Sequence, residues 1–310
     1  MTVLIRDLRS DDPADAEAVV RVRRAALPFM IATPAGIAFE AVSHPPEARF
    51  RVLVAEVDGT VVGTAQAGFA YDSPEPGRAF VNPYVHPAFR GRGAGTALLR
   101  AGEEYLTEAG ATALFSWVLD EPAHTAYAER RGYERRRSAH FLRLDLTAGL
   151  PERTAPPPGV ELLPASVFAD DPRPLYEADA EATGDEPGDI GAEMSDYEDW
   201  LATVWADPTL DRELTVAAVV DGEVASFSAA RTDGVDRYGT AMTGTRRAYR
   251  GRGLAKLAKN ASLHLAREAG YREAFTGNDA ENGPMLAINR WFGYEICATE
   301  ARYVKEAGGS

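Results

Sequence analysis

Two short segments carry residue types and spacings suited to chemistry on a phosphate. Arg90-Gly91-Arg92-Gly93-Ala94-Gly95 returns 160 residues later as Arg250-Gly251-Arg252-Gly253-Leu254-Ala255. Glycines let a backbone close around phosphate oxygens with no Cβ in the way. Arginine adds a bidentate cationic fork. Each segment runs straight into a helical sequence, and the free amides and positive dipole end of a helix N-terminus attract an anion. Neither copy is a nucleotide P-loop, because the Gly-Lys-Ser/Thr ending is absent. The glycine spacing and the lack of an acidic residue after the next strand also exclude the dinucleotide fingerprint.

The elements around these loops repeat in order. Asp11-Asp12-Pro13 corresponds to Asp170-Asp171-Pro172, Asp58-Gly59 to Asp221-Gly222, and Gly132-Tyr133 to Gly293-Tyr294, at offsets of 159, 163 and 161 residues. A period this long means two whole domains. Each half reads as a strand, a helical region, a hairpin turning at Asp-Gly, a strand into the loop, a long helix, a strand, a short helix ending at Gly-Tyr, and a last strand. The long helices are expected over Thr96–Ala109 and Leu254–Ala269. The closing strands are expected at Ala139–Asp145 and Glu295–Val304. Residues 1–149 and 160–310 are thus expected as two domains, joined by a stiff proline-rich linker over 150–159.

Composition bounds the function classes. The chain is 45% hydrophobic and 26% charged, with a formal net charge of −14. That balance fits a soluble globular protein and argues against sequence-independent nucleic-acid binding. No apolar run reaches membrane-spanning length and no signal peptide is visible, so a cytoplasmic location with no membrane partner is expected. Cys297 is the only cysteine. No intramolecular disulfide or cysteine-rich metal site is available, no metal is expected, and Cys297 reads as a packing residue.

With those residues in place, both halves resemble the GCN5-related N-acetyltransferases, whose signature is Arg/Gln-x-x-Gly-x-Gly/Ala. The stretches Val85 to Gly95 and Arg246 to Ala255 carry it, and the short helices ending in Gly-Tyr resemble the family's second motif. The resemblance covers almost the whole chain as two copies. It implies an α/β (α+β) fold of two tandem domains, each a mixed, mostly antiparallel, splayed sheet flanked by helices. It implies acetyl-CoA as cosubstrate, entering the splay with its pyrophosphate on the loop. Carried over residue by residue, the cofactor contacts are Val85, Arg90, Gly91, Arg92, Gly93, Ala94 and Gly95 in the first copy. In the second they are Thr243, Gly244, Thr245, Arg250, Gly251, Arg252, Gly253, Leu254 and Ala255, with Asn278, Asn282 and Met285 downstream.

The asparagines favour the C-terminal half as the catalyst, because the first half offers Asp120-Glu121-Pro122-Ala123-His124 in their place. Asparagine also suits turns and caps, which leaves that alternative open. The backbone amide at Thr245 is expected to polarise the acetyl carbonyl. The family's tyrosine acid is missing in both halves, where Ala128 and Asn289 stand. Asn289 can donate a hydrogen bond but is a poor proton source, and Tyr127 is one residue, about 100°, out of place on a helix. The base is expected to be a carboxylate, with Glu193 and Glu198 as candidates. Ten acidic residues and no Lys or Arg lie between Glu177 and Asp199. They would draw a small cationic amine, or they form a solvated face. The expected activity is N-acetylation of such an amine. A CoA-binding sensor or scaffold without turnover, and transfer to a protein or peptide, are the alternatives. A homodimer is the assembly the reading allows.

Overall fold

The computed structural model describes residues 2–185 and 196–307. Glu193, named above as a candidate base, and the acidic residues Glu186 and Asp189 of the run between Glu177 and Asp199 lie outside the described residues. The chain forms two compact units, residues 1–138 with 298–310 and residues 139–297.

The first unit opens with β1 (Leu4–Asp7), α1 (Pro13–Ala26) and α2 (Pro34–Ser43). Asp12 caps α1 by accepting from the Ala14 amide at 3.0 Å, and Pro13 occupies the first turn, where its missing N–H is harmless. Val19 and Val22 of α1 are fully buried against the sheet. Then come β2 (Arg51–Val57), β3 (Thr60–Phe69), β4 (Arg78–Val85), α3 (Ala94–Glu108), β5 (Ala113–Leu119) and α4 (Pro122–Glu129). Strand β6 (Glu134–Asp145) carries the chain into the second unit.

The second unit repeats the plan with β7 (Val160–Pro164), α5 (Arg173–Thr183), α6 (Tyr197–Trp200), β8 (Val216–Val220), β9 (Glu223–Thr232) and β10 (Arg237–Thr245). It continues with α7 (Leu254–Glu268), β11 (Glu273–Asp279) and α8 (Gly283–Phe292), and the chain ends in β12 (Glu295–Glu306). The expected linker runs along α7. The Thr154 amide donates to Asn260 Oδ1 at 2.8 Å, and His264 Nε2 lies 3.0 Å from the Pro151 carbonyl.

Strand order is β1-β2-β3-β4-β5-β12 in the first unit and β6-β11-β10-β9-β8-β7 in the second. All neighbours are antiparallel except β4–β5 and β10–β11. The last strands therefore do not close their own sequence halves. Residues 300–306 pair with β5 and residues 139–145 pair with β11. Periodicity shows that a segment is a strand but not which edge it joins, so this exchange is invisible in the pattern.

The splay has a visible cause. Parallel pairing of β4 with β5 stops after Phe80 with Phe115. Beyond it the strands diverge, and Asn82 Oδ1 takes the orphaned Trp117 amide at 2.9 Å. In the second unit the pairing of β10 with β11 stops at Thr240 with Thr276.

Candidate active site

In the first unit β4 ends at Val85. The His86 amide donates to the Val62 carbonyl while Val85 sits opposite Gly63. That pattern makes Val85 and Gly63 a non-hydrogen-bonded pair, so the Val85 N–H points away from β3 and into the splay. A single 3-10 turn, Pro87–Phe89, leads to the glycine loop, and the Arg92 guanidinium lies 5.3 Å from the Phe89 ring centre. Gly93 caps α3 at φ +90°, with no side chain covering the first-turn amides. A Cβ there would be strained but would meet nothing within 4 Å. The loop is an open cradle of N–H groups.

That cradle leads into a cavity of about 640 Å3 between the diverging strands. Leu99, Val118 and Ala128 form part of its apolar wall, and Tyr84, Tyr127 and Glu300 bring polar atoms to it. Tyr127 lines the cavity despite its one-residue offset. Its hydroxyl donates to Thr96 Oγ1 at 3.3 Å, and its ring is covered by Arg131 at 3.5 Å. The phenol therefore stands at the loop end of the cavity. His124 is held below the ordinary histidine range by burial, with Arg90 adding to the effect against Glu121. Among the described residues no carboxylate pairs with Arg90.

The second unit builds the same frame and fills it differently. Thr245 lies opposite Ser226 while the Arg246 amide donates to the Ala225 carbonyl, so the Thr245 N–H also points into the splay. Gly253 caps α7 at φ +76° with no side-chain cap. However, the loop's arginines are occupied. Asp185, just past α5, pairs with Arg247 at 2.7 Å and with Arg250, whose Nε also donates to the Thr245 carbonyl at 3.1 Å. The two guanidinium groups hold the Asp185 carboxyl down to about 2. Glu181 accepts from Arg246 at 3.2 Å and from the Arg247 amide. Helix α5 also packs directly on β10. A Cβ at Gly244 would come within 2.5 Å of the Ala182 Cβ.

The named second-copy residues fall into three groups. Thr243 and Thr245 hydroxyls pair with Ser228 at 3.2 Å and Ser226 at 2.8 Å. Asn282 caps α8 by accepting from the Met285 amide at 3.2 Å, the plain alternative read for it above. Asn289 is fully buried: its Oδ1 accepts from Lys259 Nζ at 2.6 Å and its amide donates to Asn278 Oδ1. Lys259 is itself 0% exposed, and burial pushes its amine down to about 7. Both polar ends of Asn289 are thus engaged in the core, away from solvent. Glu198 is exposed on α6. Cys297 is exposed too, not packed, with its thiol donating to the Phe141 carbonyl at 3.4 Å.

Sequence reasoning missed Lys259, Glu300 and the role of Asp185. Lys259 left a signal, as a lysine inside the mostly apolar stripe of α7. Glu300 left none, because its strand belongs to the unit that its sequence half does not build.

Residues 18–133 and 174–294 each match the acetyltransferase (GNAT) family. The chain belongs to that family. It is similar to the mycothiol acetyltransferase of Clavibacter sepedonicus, 34% identical over 71% of this chain and 70% of that one. The mycothiol acetyltransferase of Clavibacter michiganensis subsp. michiganensis is 31% identical, over 81% and 79%. Among solved structures, the tandem GNAT protein from the clavulanic acid biosynthesis pathway superposes with a TM-score of 0.73 at 22% identity, covering all of both chains. A GCN5-related N-acetyltransferase from Sphaerobacter thermophilus gives 0.70 at 23%, covering 98% of this chain and 96% of that one. These two support the fold, a tandem GNAT architecture.

The chain is accordingly an N-acetyltransferase with acetyl-CoA as cosubstrate, and its residues fit that molecule. The bare amides at Gly93 and at the start of α3 suit the pyrophosphate, and the cavity beyond them suits the arm that ends in the thioester. The second loop has the same amides, but its arginines already hold a carboxylate. No described helix is long and apolar enough to cross a membrane.

Proposed function

We propose that the protein acetylates the primary amine of a small cationic molecule, and that the first unit carries the turnover. The observation behind this reading is the cavity that starts at the Arg90–Gly95 loop, follows the β4–β5 splay and reaches Tyr84 and Glu300. Acetyl-CoA supplies an activated acetyl group there. Arg90 and the amides of the loop would hold the pyrophosphate, and Val118, Leu99 and Ala128 would exclude water from the arm. The Val85 N–H is aimed where the carbonyl oxygen would gain charge during transfer, so it would stabilise that charge.

Two features support a cationic acceptor: the carboxylates Glu121 and Glu300 on the cavity wall and the net charge of −14. The acidic segment after Glu177 gives less support than its composition suggested. Asp185 and Glu181 are committed to loop arginines, and Asp179 is buried, accepting from Trp200 Nε1 at 2.9 Å. The similarity to mycothiol acetyltransferases makes the unacetylated amine precursor of mycothiol the first acceptor to try.

The test is release of free CoA thiol from acetyl-CoA with a panel of amines: that precursor, polyamines, amino sugars and lysine-bearing peptides. Turnover with cationic small amines is expected. Turnover with peptides alone would replace the proposed substrate class, and binding of acetyl-CoA without thiol release would leave a sensor or scaffold. The second unit has observations of its own for the latter role, in the Asp185 clamp and the buried Lys259–Asn289–Asn278 chain.

A further inference from the structure

We propose that Glu300, on the strand that the C-terminal end of the chain gives to the first unit, is the general base of acetyl transfer in that unit. The inference rests on the reading above that the first unit turns over. Glu300 lies opposite Leu119 at the end of β5, and both line the cavity. The position is fixed by backbone pairing, since the Asp120 amide donates to the Thr299 carbonyl at 2.8 Å just beyond it. Among the described residues no hydrogen bond or ion pair holds the Glu300 carboxylate. Half-buried on the cavity wall, the carboxylate is free to meet a bound amine.

Burial and the groups facing it set where the carboxyl titrates. Arg302, two residues along the same strand, favours the ionised form, but its guanidinium lies over Trp117 and Phe115 at 4.7 and 5.4 Å. Across the cavity stands Tyr84 of β4, protonated because burial and the nearby Glu300 and Glu40 push its phenol up while Arg23 opposes them. Arg23 of α1 is neutralised by Glu40 of α2 at 2.7 Å. Glu121 and His124 stand at the start of α4, and Arg90 at the loop. Burial outweighs these charges and raises the Glu300 carboxyl to about 7. A base poised near the working pH is the best compromise between being deprotonated and accepting a proton readily.

The step balances with no further reactant. The acceptor enters as an ammonium ion, and the Glu300 carboxylate takes one of its protons. The neutral nitrogen forms the C–N bond to the acetyl carbonyl carbon while the C–S bond of the thioester breaks. The sulfur leaves with a proton as the free thiol, the amide nitrogen loses its second proton, and Glu300 returns its own to water. The net products are the acetamide, CoA thiol and one proton.

The decisive measurement is the pH profile of kcat/KM for the best amine of the panel, in the wild type, Glu300→Gln and Glu300→Asp. The wild type should rise with pH through about 7, because only the carboxylate form accepts. Glu300→Gln should lose on the order of 100-fold or more in kcat, lose that acidic limb, and keep acetyl-CoA affinity by calorimetry. Glu300→Asp keeps the carboxylate, so it should retain the limb with kcat reduced by roughly tenfold. A Glu300→Gln enzyme with wild-type kcat, or with the acidic limb intact, would overturn the assignment alone. A wild type that releases no thiol with any amine would overturn the underlying reading and the base with it. If Glu300→Gln fails to bind acetyl-CoA, Glu300→Asp decides: the wild-type kcat and limb position unchanged would count against the proposal.

Discussion

The two glycine loops are near copies in sequence, yet their surroundings have opposite contents. At Arg90–Gly95 the cradle opens on a cavity. At Arg250–Ala255 the same cradle lies beside an aspartate already seated between its arginines. The difference comes from a few equivalent positions. Leu99, Ala128 and Val118 line the first cavity, where the second unit has Lys259, Asn289 and Asn278 bonded to one another. Tyr84 faces the first cavity, where the second unit has Gly244 and lets α5 pack onto the strand. A signature loop therefore reports the ability to bind a phosphate. Whether a unit has room for the acyl arm is decided by side chains outside the loop itself.

The largest effect should come from disabling each cradle in turn. Gly93→Asp places a charged side chain at a φ of +90° in the loop that opens on the cavity, and should lower thiol release by about 100-fold or more. Gly253→Asp makes the same change in the second unit and should leave most of the turnover. Steady-state rates at saturating amine measure both. The opposite ranking would restore the C-terminal half, which the asparagines favoured on sequence, and would break the comparison as drawn.

The second effect is on stability and comes from Lys259. Its amine sits at about 7 in the folded protein against an ordinary 10.5. Between those values the unfolded chain holds a proton that the folded one lacks, so stability rises with pH across that window and is lowest below it. From pH 7 to 9 the gain from this group should be roughly 2–3 kcal/mol. Lys259→Met removes the titrating group, so the difference in Tm between wild type and variant should change across that range. A constant difference from pH 6.5 to 9.5 would mean that the lysine is not buried uncharged.

Much of this was legible in the sequence, and the failures share a cause. The duplicated plan, the Asp-Gly hairpins at residues 58–59 and 221–222, the long helices and both loops follow from local patterns. Each is set by residues close together in the chain. What local patterns do not give is mostly the choice of partners. Asp185 belongs to an acidic run whose composition shows charge but not the two arginines it meets. Asn282 suits a cap or a ligand contact by type, and the structure shows the cap, with the Met285 amide at 3.2 Å. Residues 139–145 and 295–304 read as strands, but the sheet each joins is a long-range choice that no local period encodes.

A third, smaller effect tests the clamp on the second loop. Asp185 competes with any phosphate for Arg247 and Arg250. Asp185→Asn keeps the size and removes the charge, so acetyl-CoA should bind the second loop about tenfold more tightly. Calorimetry on a Gly93→Asp background isolates that site. The gain should shrink at high salt, because the arginines are partly exposed and screening weakens their hold on an anion. Unchanged affinity would mean that Asp185 swings aside at no cost and that the two loops differ less than their contacts indicate.

The smallest effect separates a structural asparagine from a functional one. Asn282 accepts from the Met285 amide at the start of α8. Asn282→Ala removes that cap and should cost about 1 kcal/mol of stability, seen as a lower Tm. If the turnover belongs to the first unit, kcat and the KM for acetyl-CoA should both stay near wild type, since the residues that line that cavity do not include α8. Asn282→Asp preserves the accepting oxygen and adds charge at a helix N-terminus, so it should restore the Tm. A rise in the KM for acetyl-CoA in both variants, with the Tm restored in the aspartate one, would show that the amide group itself meets the cosubstrate. The second unit would then take part in the reaction, and the contrast between the two cradles would be one of degree.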